Sequence, residues 1–161
     1  MSSFTEPIKA SFDPDLAPGV ARLYPAWVYY LDWDDESEYV NMPAGQISDG
    51  LSGPWFLRWM FRKWDQRTIK AARAHDELYD NPYLMSTISA LCRPISRKTA
   101  DDLFLEMVLL GGSKWIQRSK WSRYRAWNWR TRAKIAYLAL RAFGWIAWNK
   151  HRKRDRGAIR I

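Results

Sequence analysis

The uneven distribution of proline is the feature that most constrains how this chain can fold. Six of its 8 prolines lie in the first 54 residues, at positions 7, 14, 18, 25, 43 and 54, and only Pro82 and Pro94 follow. Because proline lacks a backbone N–H and interrupts helices, the first part favours short strands and turns, and the remainder can form long helices. We therefore predict a mainly α protein with a small N-terminal β-hairpin, an α+β fold whose helical core has about four helices.

The N-terminal part contains a run of aromatic and β-branched residues that is typical of a strand. We predict that Trp27–Asp32 pairs with Ser37–Met42 in an antiparallel hairpin, joined by an acidic turn at Asp34–Glu36. The next segment, Met42–Pro54, is rich in Gly, Pro, Ser and Asp and is predicted to be a loop. Its glycines would let backbone groups approach a ligand closely.

Two helices are predicted directly after this loop. The first is basic and aromatic and runs from Trp55 to about Trp64. Asp65 is a plausible N-cap for the second, which reaches about Tyr79 before Asn81-Pro82 ends it. This second helix would carry a His-Asp pair in its last turns.

A third helix follows the Cys92-Arg93-Pro94 loop. Ser96 or Thr99 would cap its beginning, and Gly111-Gly112 would end it. Its apolar residues would form a buried face made of Leu103, Phe104, Met107, Val108 and Leu110.

The last helix is predicted from about Trp121 to about Asn149. Apolar residues recur along it at helical spacing, in steps of three or four residues with one step of eight, namely Tyr124, Trp127, Ile135, Leu138, Ala142 and Trp145. Three interpretations stay open for this Trp- and Arg-rich segment: a core stripe with a basic outer face, a helix that binds an anionic surface, or a platform for single-stranded nucleic acid. The helical spacing favours the core stripe.

Length and composition indicate one folded domain. The chain has 161 residues, of which 47% are hydrophobic, enough for a single core. We predict one domain over 1–161, with a strand- and turn-rich part at 1–54, a helical core at 55–149 and a basic, frayed tail at 150–161. Ile135–Trp148, the longest apolar stretch, contains Arg141 and is shorter than a spanning helix, so no transmembrane segment is expected.

The positive charge is concentrated in the C-terminal third. From Lys114 to the end there are 15 Lys and Arg residues and one acid, Asp155, whereas the first 113 residues carry a net charge of −5, giving +9 overall. This favours acidic partners, such as anionic phospholipid, an envelope polymer or nucleic acid. Oligomeric state is not indicated.

Cysteine and histidine are too few for two common kinds of site. Cys92 is the single cysteine and there are 2 histidines, which excludes an internal disulfide and a Cys/His zinc cluster. Cys92 is predicted to be a packed residue rather than a nucleophile, and His151, within a Lys/Arg run, is predicted to be exposed.

The pattern His75-Asp76-x-x-Tyr79, followed by Asp101 on the next helix, indicates a hydrolytic site. Residues i and i+4 share a helix face, so His75 and Tyr79 can touch while Asp76 points elsewhere. A neutral imidazole is the usual general base near pH 7, and a carboxylate such as Asp101 can fix its tautomer. The alternative is a purely structural polar cluster in which Asp76, Asp101 and Asp49 satisfy buried groups.

A cation site is a further hypothesis. Asp76 together with carbonyls of the loop from Gly45 to Gly53 would be an oxygen-only ligand set, which suits calcium. In the same loop, Asp49 and Ser52 either line a substrate site or form an Asx turn.

The motifs around this site resemble the phospholipase A2 superfamily, especially its virus-capsid branch. His75-Asp76-x-x-Tyr79 and Ala100-Asp101-x-x-Phe104 enclose Asn81-Pro82-Tyr83, as in that branch. The resemblance implies that His75 is the general base through a water, that Asp76 binds calcium, and that Tyr79 and Asp101 hold the imidazole. Two departures are the missing disulfide cysteines, which the capsid branch also lacks, and a loop without the glycine pattern of a calcium loop.

A second resemblance covers roughly residues 20 to 148. The chain is similar to an uncharacterised family of small phage and prophage proteins, a domain of unknown function. The matching motifs are Pro43-Ala44-Gly45, Ser48-Asp49-Gly50-x-Ser52-x-Pro54, Ala71-Ala72-x-Ala74-His75-Asp76-x-Leu78-Tyr79, Ala100-Asp101-x-x-Phe104 and Tyr137-Leu-Ala-Leu-Arg141-Ala-Phe143-Gly144. It implies a phage context and no particular reaction.

Two functions follow as hypotheses. The first is a phage-encoded, phospholipase A2-like hydrolase whose basic C-terminal helix binds an anionic surface. The second is a non-enzymatic virion or tail component that binds another phage structural protein or nucleic acid. The N-terminus lacks the basic and apolar regions of a signal peptide, so we expect synthesis in the host cytoplasm, with association with the virion left open.

Overall fold

The structure, a computed structural model, describes residues 9–11, 21–24, 26–31, 38–48, 65, 68–87, 92–116 and 122–158. The predicted helix at 55–64, the hairpin turn, and the candidate site residues Asp49 and Ser52 lie outside these ranges. Within them the fold is α+β and mainly helical, as predicted. Its helices are α1 (Ile69–Asp80), α2 (Arg97–Ile116) and α3 (Ser122–Ala158).

The strands of the described part are short and form two antiparallel sheets. The first sheet has the order β1-β2-β5 and the second β3-β4-β6-β7. The strands are β1 (Lys9–Ser11), β2 (Ala21–Tyr24), β3 (Trp27–Tyr30), β4 (Glu38–Met42), β5 (Gln46–Ser48), β6 (Tyr83–Ser86) and β7 (Arg93–Pro94).

The predicted hairpin is confirmed as the pair β3 and β4. Their register places Trp27 opposite Met42 and Tyr30 opposite Tyr39. Tyr29, Val40 and Met42 point into the core, in the alternation that a sheet with one buried face requires. The sheet is larger than predicted, because β6 and β7 extend it beyond β4.

The predicted loop that begins at Met42 is interrupted by a strand. Gly45 has a φ of 75°, a left-handed conformation that glycine adopts without steric cost. The turn at Gly45 leads the chain out of β4 and into β5, which pairs with β2 in the other sheet. Gly45 therefore allows the turn that connects the two sheets.

Helix α1 has the largest fraction of buried residues among the three described helices. It contacts α2, α3 and β4, and nine of its 12 residues are buried. Three of them, Ala71, Ala72 and Ala74, have small side chains that let neighbouring elements approach closely. The predicted N-cap was wrong, since α1 begins after Thr68, and Asp65 contributes its carbonyl oxygen to the N–H groups of Thr68 and Ile69.

Helix α2 begins as predicted and ends later. The Oγ of Ser96 accepts a hydrogen bond from the N–H of Thr99 at 3.1 Å, which confirms Ser96 as the N-cap. Gly111-Gly112 does not end the helix, which continues to Ile116. The predicted buried face is largely confirmed, with Leu110 half-buried and the other four buried: Leu103, Phe104, Met107 and Val108.

Gly112 is required by the packing of α3 rather than by a helix end. The indole of Trp129 in α3 lies against it, and the Nε1 of Trp129 donates a hydrogen bond to the carbonyl oxygen of Val108 at 2.9 Å. A Cβ atom at Gly112 would be 1.9 Å from that Nε1.

Gly112→Ala is therefore expected to destabilise the protein by about 3 kcal/mol, because a buried, hydrogen-bonded indole must move to admit a methyl group. Urea unfolding would measure this loss. Gly111→Ala is the matched control, since it adds the same methyl group to a half-buried position of the same turn and should change stability by less than about 1 kcal/mol. Equal stability of Gly112→Ala and wild type would contradict the packing of Trp129 against Gly112.

The stripe predicted to be the core face of the last helix is exposed. We call this set the outer stripe, and all six of its members are exposed: Tyr124, Trp127, Ile135, Leu138, Ala142 and Trp145. The buried face consists instead of Trp129, Ala133, Ala136 and Ala139. Periodicity identified a helix correctly, but α3 has two apolar faces, and the face with small residues packs on α2.

Helix α3 also extends beyond its predicted end. It continues past Asn149 to Ala158, so residues 150–158, predicted to be a frayed tail, are helical. Among the described residues no helix is long and apolar enough to cross a membrane.

Candidate functional site

Helix α1 places His75 and Tyr79 side by side. The two residues are one turn apart, and their ring centroids are 4.1 Å from each other. Both are buried, with 7% and 4% of their surface exposed, and Phe104 of α2 contacts the imidazole from another side. Asp76 is half-buried and lies about a quarter of a turn away from His75.

Asp101 of α2 completes the cluster, and its side chain is fully buried. Its Oδ1 accepts the phenolic O–H of Tyr79 at 2.7 Å and lies 3.0 Å from Nε2 of His75. The structure thus brings His75, Tyr79 and Asp101 together as the sequence suggested. Their roles in a reaction stay a prediction.

Two arginines that we did not predict hold the other oxygen of Asp101. Nη1 of Arg141, from α3, donates a hydrogen bond to Oδ2 at 2.9 Å, and Nη1 of Arg97 lies 3.8 Å from the same oxygen. Arg97 also donates to the carbonyl oxygens of Leu140 and Arg141. One sequence signal was present, because Arg141 is a single charge within the apolar stretch Ile135–Trp148.

These contacts determine the charge state of the cluster. Burial alone would raise the pKa of Asp101, but hydrogen bonds from His75, Tyr79 and Arg141 outweigh it and lower that pKa below its usual value. Burial, followed by the hydrogen bond to Asp101, raises the pKa of Tyr79 well above the normal range. Asp101 is therefore a carboxylate that accepts hydrogen bonds, and Tyr79 stays a neutral donor.

A carboxylate at Nε2 sets the tautomer of His75. It favours the proton on Nε2 and leaves the lone pair on Nδ1. No described residue hydrogen-bonds Nδ1, and the His75 side chain retains 8% of its surface exposed. Nε2 is therefore oriented by Asp101, and the lone pair of Nδ1 can accept a hydrogen bond or a proton from water.

Helix α3 packs against Tyr79 through Trp148 and Gly144 and so covers the cluster. The indole of Trp148 meets the Tyr79 ring edge-on, with centroids 5.2 Å apart. Gly144 lies over the phenol, and a Cβ there would be 2.5 Å from the Tyr79 oxygen. The glycine therefore makes room for the hydrogen bond between Tyr79 and Asp101.

The C-terminal end of α1 is bound by the same helix. Arg152 donates to the carbonyl oxygens of Tyr79 and Asp80, at 2.6 and 2.8 Å, and its guanidinium lies 5.1 Å from the Trp148 ring. A cation is favourable at this end of a helix dipole. His151, predicted to be exposed, is half-buried with its Nδ1 2.6 Å from the Asp80 carboxylate.

Of the predicted calcium ligands, Asp76 is the one side chain that lies among the described residues. No three His, Cys, Asp or Glu side chains converge on a metal-sized site within the described ranges. Most of the loop that would add carbonyl oxygens, including Asp49 and Ser52, lies outside those ranges. The binding of calcium by Asp76 therefore stays a prediction.

Cys92 takes no part in this cluster. It was predicted to be packed, but it is exposed. A reactive thiol needs a neighbouring base or cation, and the site described above involves no cysteine.

The sequence matches the model of a family described as protein of unknown function (DUF1353), over residues 25–127. This range contains His75, Asp76, Tyr79 and Asp101 and stops before Arg141. Comparisons with curated proteins and with solved structures give no match.

Proposed function

Because the chain belongs to the DUF1353 family, whose description assigns no activity, we propose its function from the site: a hydrolase in which His75 activates water against an ester. The observation that carries the proposal is the pairing of His75 Nε2 with a buried carboxylate, while Nδ1 has no described hydrogen-bond partner. This is the arrangement that makes an imidazole an effective general base.

In the proposed reaction, a water molecule attacks the ester carbonyl carbon while Nδ1 of His75 takes one of its protons. The resulting imidazolium is stabilised by Asp101, whose own charge is held by Tyr79 and Arg141. Collapse of the tetrahedral intermediate breaks the carbon–oxygen bond, and the leaving alkoxide receives the proton from His75. Acid and alcohol are released, and the imidazole is neutral again.

The substrate class that we propose is an ester of a phospholipid or of another envelope component. The support is the resemblance of the His-Asp motif to phospholipases A2 and the net charge of the C-terminal third, which favours an anionic surface. Asp76 is the candidate calcium ligand, and the phage origin rests on the second sequence resemblance.

A second function is supported by the burial of the cluster. Asp101 is fully buried and His75 nearly so, as expected for a polar cluster that serves only to hold three helices together. In that case the chain would be a non-enzymatic phage component, in the virion, tail or as an accessory, that binds a protein partner or nucleic acid.

Assay of the purified chain with a fluorogenic phospholipid separates the two functions. Calcium is added in one series and chelated in the other. We expect ester hydrolysis with calcium and a reduced rate without it, because Asp76 would bind the ion. Absence of hydrolysis in both series would indicate that the cluster of His75, Tyr79 and Asp101 only stabilises the fold. This result would favour the non-enzymatic function.

A further inference from the structure

The outer stripe is an exposed apolar surface along most of α3. Trp127, Leu138 and Trp145 have 65%, 62% and 54% of their surface exposed. From Tyr124 to Trp145 the stripe is about 32 Å long, and two further exposed residues, Phe143 and Ile146, widen it near its C-terminal end. Exposed apolar patches of this extent mark interaction surfaces.

Cations border this surface. Lys134, Lys150 and Lys153 are exposed and, at 3.6 residues per turn, lie beside or in line with the outer stripe. Between Lys114 and Arg154 the chain contains no Asp or Glu. A second copy of this helix would bring cations against cations, so charge complementarity calls for an anionic occupant.

We propose that the outer stripe docks α3 onto the surface of an anionic phospholipid bilayer, with the helix lying in the plane of the interface. Trp, Leu and Ile side chains would enter the headgroup and upper acyl region, and the lysines would contact lipid phosphates. This inference extends the proposed function, since it names the bilayer as the form in which the substrate is met.

The composition of the stripe favours lipid over nucleic acid. Single-stranded nucleic acid is bound by successive aromatic rings on which bases stack. Here Ile135, Leu138 and Ile146 interrupt the aromatic residues, and aliphatic side chains offer no stacking face. They do gain free energy when they enter hydrocarbon.

The stripe is also directly connected to the candidate site. Trp145 is exposed on the outer side of α3, and Trp148, less than one turn further, contacts Tyr79 on the inner side. A recess of about 600 Å³ on this part of the helix is lined by both indoles together with Lys150 and Lys153. Docking through the stripe would therefore bring the lipid surface to the end of α3 that covers the cluster.

Co-sedimentation with vesicles tests the docking without any turnover. The full chain is mixed with vesicles of phosphatidylcholine alone or with added phosphatidylglycerol. We expect strong binding only with the anionic lipid, and a loss of about tenfold or more in the partition coefficient for Leu138→Ser with Trp145→Ser. Tyr83→Ser, at an equally exposed apolar residue of β6, should bind like wild type, and circular dichroism should show all variants folded.

Four results would overturn the proposal. Two concern the vesicles: no binding of wild type to anionic vesicles, or equal binding of the double variant. The other two are a wild-type dimer that the double variant converts to monomer, and preferential binding to single-stranded DNA over vesicles. The docking proposal and the hydrolase proposal can fail independently. If the chain binds vesicles but cleaves no ester, the docking proposal stands and the hydrolase proposal fails. If it cleaves a soluble short-chain ester without binding vesicles, the hydrolase proposal stands and the docking proposal fails.

Discussion

His75→Gln is expected to lower the rate of ester hydrolysis by at least about 100-fold while the protein remains folded. The glutamine amide can donate a hydrogen bond toward Asp101, as Nε2 of the imidazole does at 3.0 Å. An amide nitrogen is not basic, however, and cannot take the proton of the attacking water. The substitution therefore removes the base and preserves the contact that orients it.

Glutamine is a sharper test than alanine because the imidazole is packed. Its ring contacts Tyr79 and Phe104, and alanine would leave a cavity between them. We expect His75→Gln to reduce stability by about 1–2 kcal/mol, which a thermal melt would show. Activity is then compared at a temperature at which both proteins are folded.

His151→Gln is the matched control, since His151 is the other histidine of the chain. It forms a partly exposed contact with Asp80 at the end of α1, away from the carboxylate of Asp101. This variant should hydrolyse esters at the wild-type rate. A folded His75→Gln protein with full activity would refute the assignment of His75 as the base.

Local sequence patterns were sufficient to predict the structural elements that depend on interactions between residues close in sequence. The run of aromatic and β-branched residues in Trp27–Asp32 predicted the hairpin with Ser37–Met42. Ser96 and Thr99 were both candidate helix caps, and the hydroxyl of Ser96 accepts the hydrogen bond from a backbone N–H three residues on. Strands β6 and β7 were missed because four and two residues are too few to establish a period. The pairing of β6 with β4, and of β7 with β6, depends on tertiary structure.

The faces of α3 could not be assigned from periodicity. A helix with large apolar residues on one side and alanines on another offers two candidate core faces. The large residues gain more from burial, which favoured the outer stripe, but close packing against Gly112 and Val108 of α2 requires the face that presents Trp129 among alanines. Only the shape of the partner helix decides between them.

The candidate site was predictable to the extent that its spacing is helical. His75 and Tyr79 are four residues apart, and Asp101 follows in a motif that resembles a known pattern. Arg141 was not predicted, because the geometry that aims it at Asp101 is created by the packing of α2 against α3, and a contact between residues 40 apart has no sequence period. Arg97 was missed although it lies four residues before Asp101 on α2, a helical spacing that the sequence contains.

Asp101→Asn should cause the largest loss of stability among single substitutions in the cluster, about 3 kcal/mol, or a melting temperature roughly 6–12 °C lower. The fully buried carboxylate accepts hydrogen bonds from Tyr79 and Arg141 and pairs with His75. An amide presents N–H groups on one side, so at least one of these donors would face another donor, and the positive charge of Arg141 would lose its counterion. Differential scanning calorimetry would measure the shift.

Asp102→Asn is the matched control, one residue further along α2. Asp102 bonds Lys98 and Tyr137, but its side chain is 43% exposed, and an exposed ion pair contributes less than about 1 kcal/mol. A loss of stability for Asp101→Asn no greater than that of Asp102→Asn would show that the cluster does not hold the helices together.

Asp101→Asn and wild type are expected to differ in their free energy of unfolding. The pH dependence of this difference tests whether the charge of the Asp101 carboxylate causes it. The folded pKa of Asp101 lies below its unfolded value, so its ionised form stabilises the fold fully above about pH 4, and this contribution disappears as the pH falls through the folded pKa. The stability gap between the two proteins should therefore be constant near neutral pH and narrow in acid. If the difference in unfolding free energy instead stays the same in acid, the charge of Asp101 is not its source, because that charge is lost from wild type when Asp101 is protonated. The difference would then be due to altered packing around the amide.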